Sequence, residues 1–292
     1  MAGTADSRPE GKPRGGTFMP DKNRRRRGAA AVLLALGLCA AGAALALYDA
    51  IWPRQSGTNV LTSKSLTVDA SNVSQGYIMA HGSAGSKRLK LRITQGKYKL
   101  TYDLGAAGEY EIFPLQLGNG SYTVELFENV SGKKYSAEGK VTVDVKLEDA
   151  YAPFLGPNQY VNYTEETAAV KTSYELCAGL TDEQAIFETI RAYIKENYNY
   201  DYDKAATVQS GTLPDIDGCY ETKTGICQDL AAMAACMLRV QGIPTKLMVG
   251  YVGRMYHAWN VVVLNGEEVL YDPTLELNAV ESGQTYTAER YY

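Results

Sequence analysis

The sequence predicts an α+β protein with helices packed on an antiparallel sheet over 149–292. A small β-sandwich over 64–148 and an N-terminal membrane anchor over 28–48 precede it. Three observations carry this. An apolar run from Gly28 to Leu47 directly follows Arg24-Arg25-Arg26-Arg27. Between 64 and 148, seven short runs of strand-forming residues are separated by turn signals. From Cys227 to Asp272 the pattern changes to a helix, a strand and a hairpin.

Residues 1–27 read as a cytoplasmic basic tail, of which 1–23, polar and rich in Gly, Pro and charge, read as disordered. The tail holds eight basic and three acidic side chains. From totals of 29 and 33 this leaves 21 basic and 30 acidic groups for the rest, a net charge near −9. So acidic a body argues against a nucleic-acid partner. About twenty apolar residues suffice to cross a bilayer, and flanking arginines keep the N-terminus inside. The protein is therefore expected at the cell membrane, single-pass, with its C-terminal domains extracellular. The alternative is secretion after signal-peptide cleavage at Ala44-Leu45-Ala46. Residues 49–63 read as a polar linker.

The sandwich runs are Ser65–Asp69, Gly76–Ala80, Arg88–Thr94, Lys97–Tyr102, Tyr110–Phe113, Ser121–Phe127 and Lys140–Leu147. Gly118-Asn119-Gly120 and Ser131-Gly132 punctuate them. His81, at a strand end beside Gly82, has no acidic or thiol company and is read as a surface or loop residue. Beyond the connector 150–162, Thr164 caps a helix over Glu165–Ala178. A capping box at Thr181-Asp182-Glu183-Gln184 opens a second, through about Asn197, with Ile186, Ile190 and Ile194 on one face. Residues 204–226 read as a loop. Asp201, Asp203, Asp215 and Asp217 read as solvated loop acids rather than a Ca²⁺ set. With no phosphate loop or metal-ligand cluster, no cofactor is expected.

The chemistry concentrates in 224–274. Gly225 breaks the chain, and strong helix formers follow Cys227 until Gly242 and Pro244 stop them. A thiol in the first turn of a helix meets free N–H groups and the positive end of the dipole, which favour the thiolate. Cys236, mid-helix, reads as core. Cys177 and Cys219 leave one bridge open, but five cysteines suggest no disulfide framework. The runs 245–252 and 257–264 read as strands, and Asn265-Gly266 is a two-residue hairpin signal. That turn sets Leu264 opposite Glu267, Trp259 opposite Asp272 and His257 opposite Thr274. His257 and Asp272 then share a face as diagonal neighbours, within side-chain reach. Cys, His and Asp in this order, each at an element's edge, suggest a thiol nucleophile, its base and an orienter.

These residues resemble the transglutaminase-like superfamily of papain-like cysteine enzymes, here as a bacterial membrane-anchored member. The matching pieces are Gly225-Ile226-Cys227, Gly242-Ile243-Pro244, Val249-Gly250-Tyr251, His257-Ala258-Trp259 and Tyr271-Asp272-Pro273-Thr274, with Tyr200-Asp201 upstream. Many relatives carry a Trp immediately before the aspartate, where this chain has Tyr271. The resemblance implies a papain-like transglutaminase core with Cys227 as nucleophile, His257 as general base and acid, and Asp272 as orienter. The expected activity is that of a cysteine peptidase, amidase or transglutaminase. It would act on a protein, peptide or cell-wall peptide by acyl transfer or hydrolysis through a thioester. The Cys227 N–H is one oxyanion donor, and Tyr200, Gln209 and Trp259 are candidates for a second donor or a cleft wall. The alternatives are an inactive papain-like scaffold and a cell-surface binding or adhesion protein. The sequence does not specify the oligomeric state.

Overall fold

The β-rich half builds two four-stranded antiparallel sheets from eight strands: β1 (Val60–Ser63), β2 (Leu66–Asp69), β3 (Tyr77–Gly82), β4 (Leu89–Gln95), β5 (Tyr98–Leu104), β6 (Glu111–Pro114), β7 (Gly120–Ser131) and β8 (Lys134–Val145). The orders are β1-β2-β3-β6 and β5-β4-β7-β8. This computed structural model describes residues 48–83, 87–105, 107–279 and 283–292. The apolar run over 28–47 lies outside them. Among the described residues, no helix is long and apolar enough to cross a membrane.

Strand alternation determines which faces are buried. In β4, Leu89, Leu91 and Ile93 turn inward, while Arg92 turns outward and pairs with Glu125 of β7 at 2.8 Å. The inner faces share one core: Leu66, Val68, Ile78 and Phe113 from one sheet, Leu91, Tyr122, Val124 and Leu126 from the other. Gly139 shows how closely they approach, since a Cβ there would lie 2.3 Å from the Ser63 carbonyl oxygen and 2.6 Å from Leu66 Cβ.

The segment expected to be a free linker over 49–63 is laid onto the folded unit. Tyr48 N–H donates to the Gly242 carbonyl, and Ile51 N–H to that of Leu155. The buried carboxylate of Asp69 accepts the amides of Ser56 and Gly57 at 2.9 and 2.8 Å. Val60–Ser63 then adds an edge strand. Anchoring by residues distant in sequence, rather than local propensity, orders this stretch.

The C-terminal half starts with α1 (Ala168–Leu176) and α2 (Glu183–Asn197). α1 begins later than expected, with Thr167 rather than Thr164 at its N-cap. α2 is capped by Asp182, whose carboxylate accepts the Ala185 amide at 2.8 Å. The expected loop 204–226 is more ordered than its composition suggested. After β9 (Asn199–Tyr200) come α3 (Tyr202–Thr207), α4 (Ile216–Thr222) and β10 (Thr224–Gly225), which pairs with β9 in parallel. Asp201 and Asp215 cap these short helices, accepting the amides of Lys204 and Gly218.

α5 (Cys227–Arg239) is the central helix, with every residue from Asp229 to Arg239 buried. A helix apolar on all sides belongs at the centre of a core. Each of its fully buried Leu and Met side chains contributes about 1.5–3 kcal/mol. Arg239, also fully buried, is satisfied by three backbone carbonyls, those of Gly156, Thr245 and Tyr292. Burial lowers its pKa to about 10.

α5 packs on a four-stranded antiparallel sheet of β11 (Thr245–Val252), β12 (Met255–Leu264), β13 (Glu267–Tyr271) and β14 (Tyr286–Tyr291), ordered β13-β12-β11-β14. Asn260 ties β12 to the helix through the Ala231 carbonyl. Asn265 and Gly266 both take positive φ, 52° and 81°, and Leu264 faces Glu267. The ladder ends at Asn260 and Tyr271, so the expected Trp259–Asp272 and His257–Thr274 pairs do not form. Pro273 begins the short helix α6 (Pro273–Leu277), capped by Asp272.

Candidate active site

The N-terminus of α5 is held by a buried carboxylate. Asp229 is fully buried and accepts the Ile226 amide at 3.0 Å, the Asp215 amide at 3.0 Å and Lys204 Nζ at 2.7 Å. One side chain thus fixes the helix start and the α3 and α4 segments beside it. Gly225 is required by close approach, because a Cβ there would lie 2.7 Å from Cys219 Sγ and 3.0 Å from Asp229 Cβ. Cys227 follows as the first helical residue, half-buried. First-turn amides have no intrahelical acceptor, so the Cys227 N–H is open to a ligand oxygen. Cys177, Cys219 and Cys236 are free and buried. Burial pushes the thiols of Cys177 and Cys219 up to about 11 and about 12, and that of Cys236 higher still.

His257 is 3% exposed, and its Nε2 lies 2.8 Å from Asp272 Oδ2. The Cys227 side chain is near enough to raise the proton affinity of the ring, and Nδ1 is the nitrogen that Asp272 leaves free. Asp272 is 5% exposed and saturated: Oδ2 also accepts the Tyr286 hydroxyl at 2.9 Å, and Oδ1 accepts the Leu275 amide at 3.1 Å. Burial alone lowers the pKa of His257, but the Asp272 carboxylate bonded to it and the nearby Cys227 side chain outweigh that and raise the value to about 9. The buried carboxylate against Nε2 thus favours the protonated ring.

The other sequence candidates fall in three different places. Tyr200 pairs with Gly225 across β9 and β10, two residues before Cys227. Burial and then the Cys227 charge push its phenol up to about 12. Trp259 is 2% exposed and parallel to the His257 ring, with 6.4 Å between centroids. It backs the histidine and contributes no open cleft surface. Gln209 is exposed and its amide donates to the Thr207 carbonyl, so it is not aimed at the thiol. It lines a cavity of about 450 Å³ bordered by Gln228, Val249, Tyr256 and Arg290.

Sequence reasoning missed Asp229, Lys204 and Tyr286. An acid at the third helical position is a capping signal, and Asp229 could have been found from it. Tyr286 left no such sign. It sits on β14, whose sequence YTAERY lacks an apolar alternation and gains its partner only by pairing with β11.

Residues 170–273 match the family model described as the transglutaminase-like superfamily. Among solved structures, a candidate cysteine protease from Cytophaga hutchinsonii aligns over 68% of this chain and 78% of its own, at 16% identity and a TM-score of 0.38. The periplasmic domain of TgpA from Pseudomonas aeruginosa aligns over 77% of this chain and 96% of its own, at 12% identity and a TM-score of 0.34. Red sea bream transglutaminase aligns over 68% and 47%, at 12% identity and a TM-score of 0.25. No curated protein matches the chain.

Proposed function

From a chain whose residues 170–273 belong to the transglutaminase-like superfamily, we propose that the protein is a cysteine enzyme catalysing acyl transfer or hydrolysis on peptide or carboxamide substrates. One observation carries this: the half-buried Cys227 opens a helix beside an imidazole whose Nε2 rests on a buried carboxylate. The Cys227 thiolate attacks the substrate carbonyl, and the Cys227 N–H receives the developing oxyanion. His257, protonated at rest, donates its proton to the leaving amine, producing a thioester. Asp272 fixes the ring and stabilises the imidazolium, and Tyr286 and the Leu275 amide fix Asp272 in turn. His257 then takes a proton from the incoming nucleophile. Water as nucleophile gives hydrolysis and an amine gives cross-linking.

The enzyme works outside the cytoplasm, held at the membrane by the apolar run at 28–47. The two four-stranded sheets form a β-sandwich unit ahead of the catalytic half. Its substrate is a protein, a peptide or a cell-wall peptide.

Native alkylation with iodoacetamide at neutral pH, followed by peptide mass mapping, tests the site. Cys227 should react at least tenfold faster than Cys177, Cys219 and Cys236, and His257→Ala should remove most of that advantage. Equal rates at Cys227 in wild type and His257→Ala would overturn the thiolate–imidazolium pair.

A further inference from the structure

A cavity lined by Gln228 and Tyr256, the chain neighbours of Cys227 and His257, is not needed for the bond-breaking chemistry. It has a volume of about 450 Å³. Gln228, the residue after Cys227, and Tyr256, the residue before His257, both line it. Its walls are aromatic and aliphatic, from Tyr160, Tyr292 and Val249. Among the described residues that line it, Arg290 is the one charged at neutral pH. Arg290 donates one hydrogen bond, from Nη2 to the Tyr256 hydroxyl at 2.7 Å. A guanidinium carries five N–H donors in a fixed fork, so four remain.

Arg290 lies opposite Val249, which lies opposite Ala258, the residue after His257. Two strand spacings separate Arg290 from the histidine strand, about 10 Å of backbone. An extended peptide spans that distance in about three residues.

We propose that this cavity is a substrate subsite that takes a carboxylate borne next to an aromatic or aliphatic side chain, with Arg290 as its specificity-determining cation. The reacting carbonyl would lie two or three residues away. This rests on the acyl-transfer proposal for Cys227 and narrows its substrate class to acidic peptides. A planar guanidinium suits a carboxylate because two parallel N–H···O bonds can form at once. Aromatic rings flank that pair at an exposed rim, and the Arg290 charge repels a second cation. A neutral carboxamide of the same shape presents two N–H donors to a donor-only partner.

The probe pair is N-acetyl-glycyl-tyrosine and its carboxamide, titrated calorimetrically into wild type, Cys227→Ser, Arg290→Gln and Arg290→Lys. The acid should bind about tenfold more tightly than the amide to wild type and to Cys227→Ser. That ratio should fall to near one in Arg290→Gln and recover partly in Arg290→Lys. A ratio near one in wild type, a ratio unchanged in Arg290→Gln, or no binding of either probe at millimolar concentration would overturn the proposal. The Cys227→Ser arm removes the thiol and leaves the cavity intact. Failure of the acyl-transfer chemistry would therefore leave the binding ratio standing, and failure of the subsite would leave Cys227 reactivity standing.

Discussion

Replacing Asp272 by Asn should release the proton that the site holds on His257. In the folded protein that imidazole is raised from 6.5 to about 9, against a burial effect that alone would lower it. Each tenfold change in proton affinity is worth about 1.4 kcal/mol, so the native state gains about 3 kcal/mol by holding the imidazolium. Because the folded value lies above the unfolded one, this stabilisation is complete below pH 6.5 and is lost as pH rises through about 9. Asp272→Asn removes the carboxylate and leaves burial in control. The titration midpoint of His257 should then fall below 7, with about 2–3 kcal/mol of stability lost at pH 6. Above about pH 9.5 the gap between the two proteins should narrow. Ring-proton NMR gives the midpoint directly, since the chain has two histidines and His81→Gln identifies the other signal. Urea unfolding at several pH values gives the stability difference. A wild-type midpoint near 6.5, or the same midpoint in both proteins, would refute the reasoning.

Two further substitutions probe the support of the thiol. Gly225→Ala drives a Cβ into Cys219 Sγ and Asp229 Cβ; it should cost about 1–3 kcal/mol in urea unfolding and slow alkylation of Cys227. Asp229→Asn leaves the Lys204 ammonium without its carboxylate and turns an amide NH₂ toward backbone N–H donors. It should cost about 3 kcal/mol, and adding Lys204→Met should recover part of that.

Sequence legibility followed interaction range. The Asn265-Gly266 turn sets the register of β12 and β13 locally, and parity alone puts His257 and Asp272 within reach. The same parity ran too far, to Trp259–Asp272 and His257–Thr274, because Asp272 and Pro273 together favour the start of a helix, and the cap prevailed over the ladder. All seven strands expected between 64 and 148 are present, since alternation with turn signals is a short-range pattern. Strand β1, helices α3 and α4, and strand β14 were not foreseen. Each is short: β1 forms by pairing with the adjacent β2, and the others exist through partners farther along the chain, Asp229 beneath 204 and 215, and β11 beside 286–291. The candidate site divides in the same way. Cys227, His257 and Asp272 sit at element edges that local pattern reveals. Asp229 and Tyr286 act on them across long separations, and Tyr286 left no local sign of doing so.

The most direct test of the central claim is acylation by p-nitrophenyl acetate, with release of p-nitrophenolate followed by absorbance and the acetylated residue located by peptide mass mapping. A thioester-forming enzyme should give a burst of one p-nitrophenolate per protein, with acetyl on Cys227, followed by slower turnover. The burst should vanish in Cys227→Ser and slow at least tenfold in His257→Ala. Acetylation of Cys227 at the rate of an unfolded-chain cysteine, unchanged in His257→Ala, would contradict the nucleophile assignment.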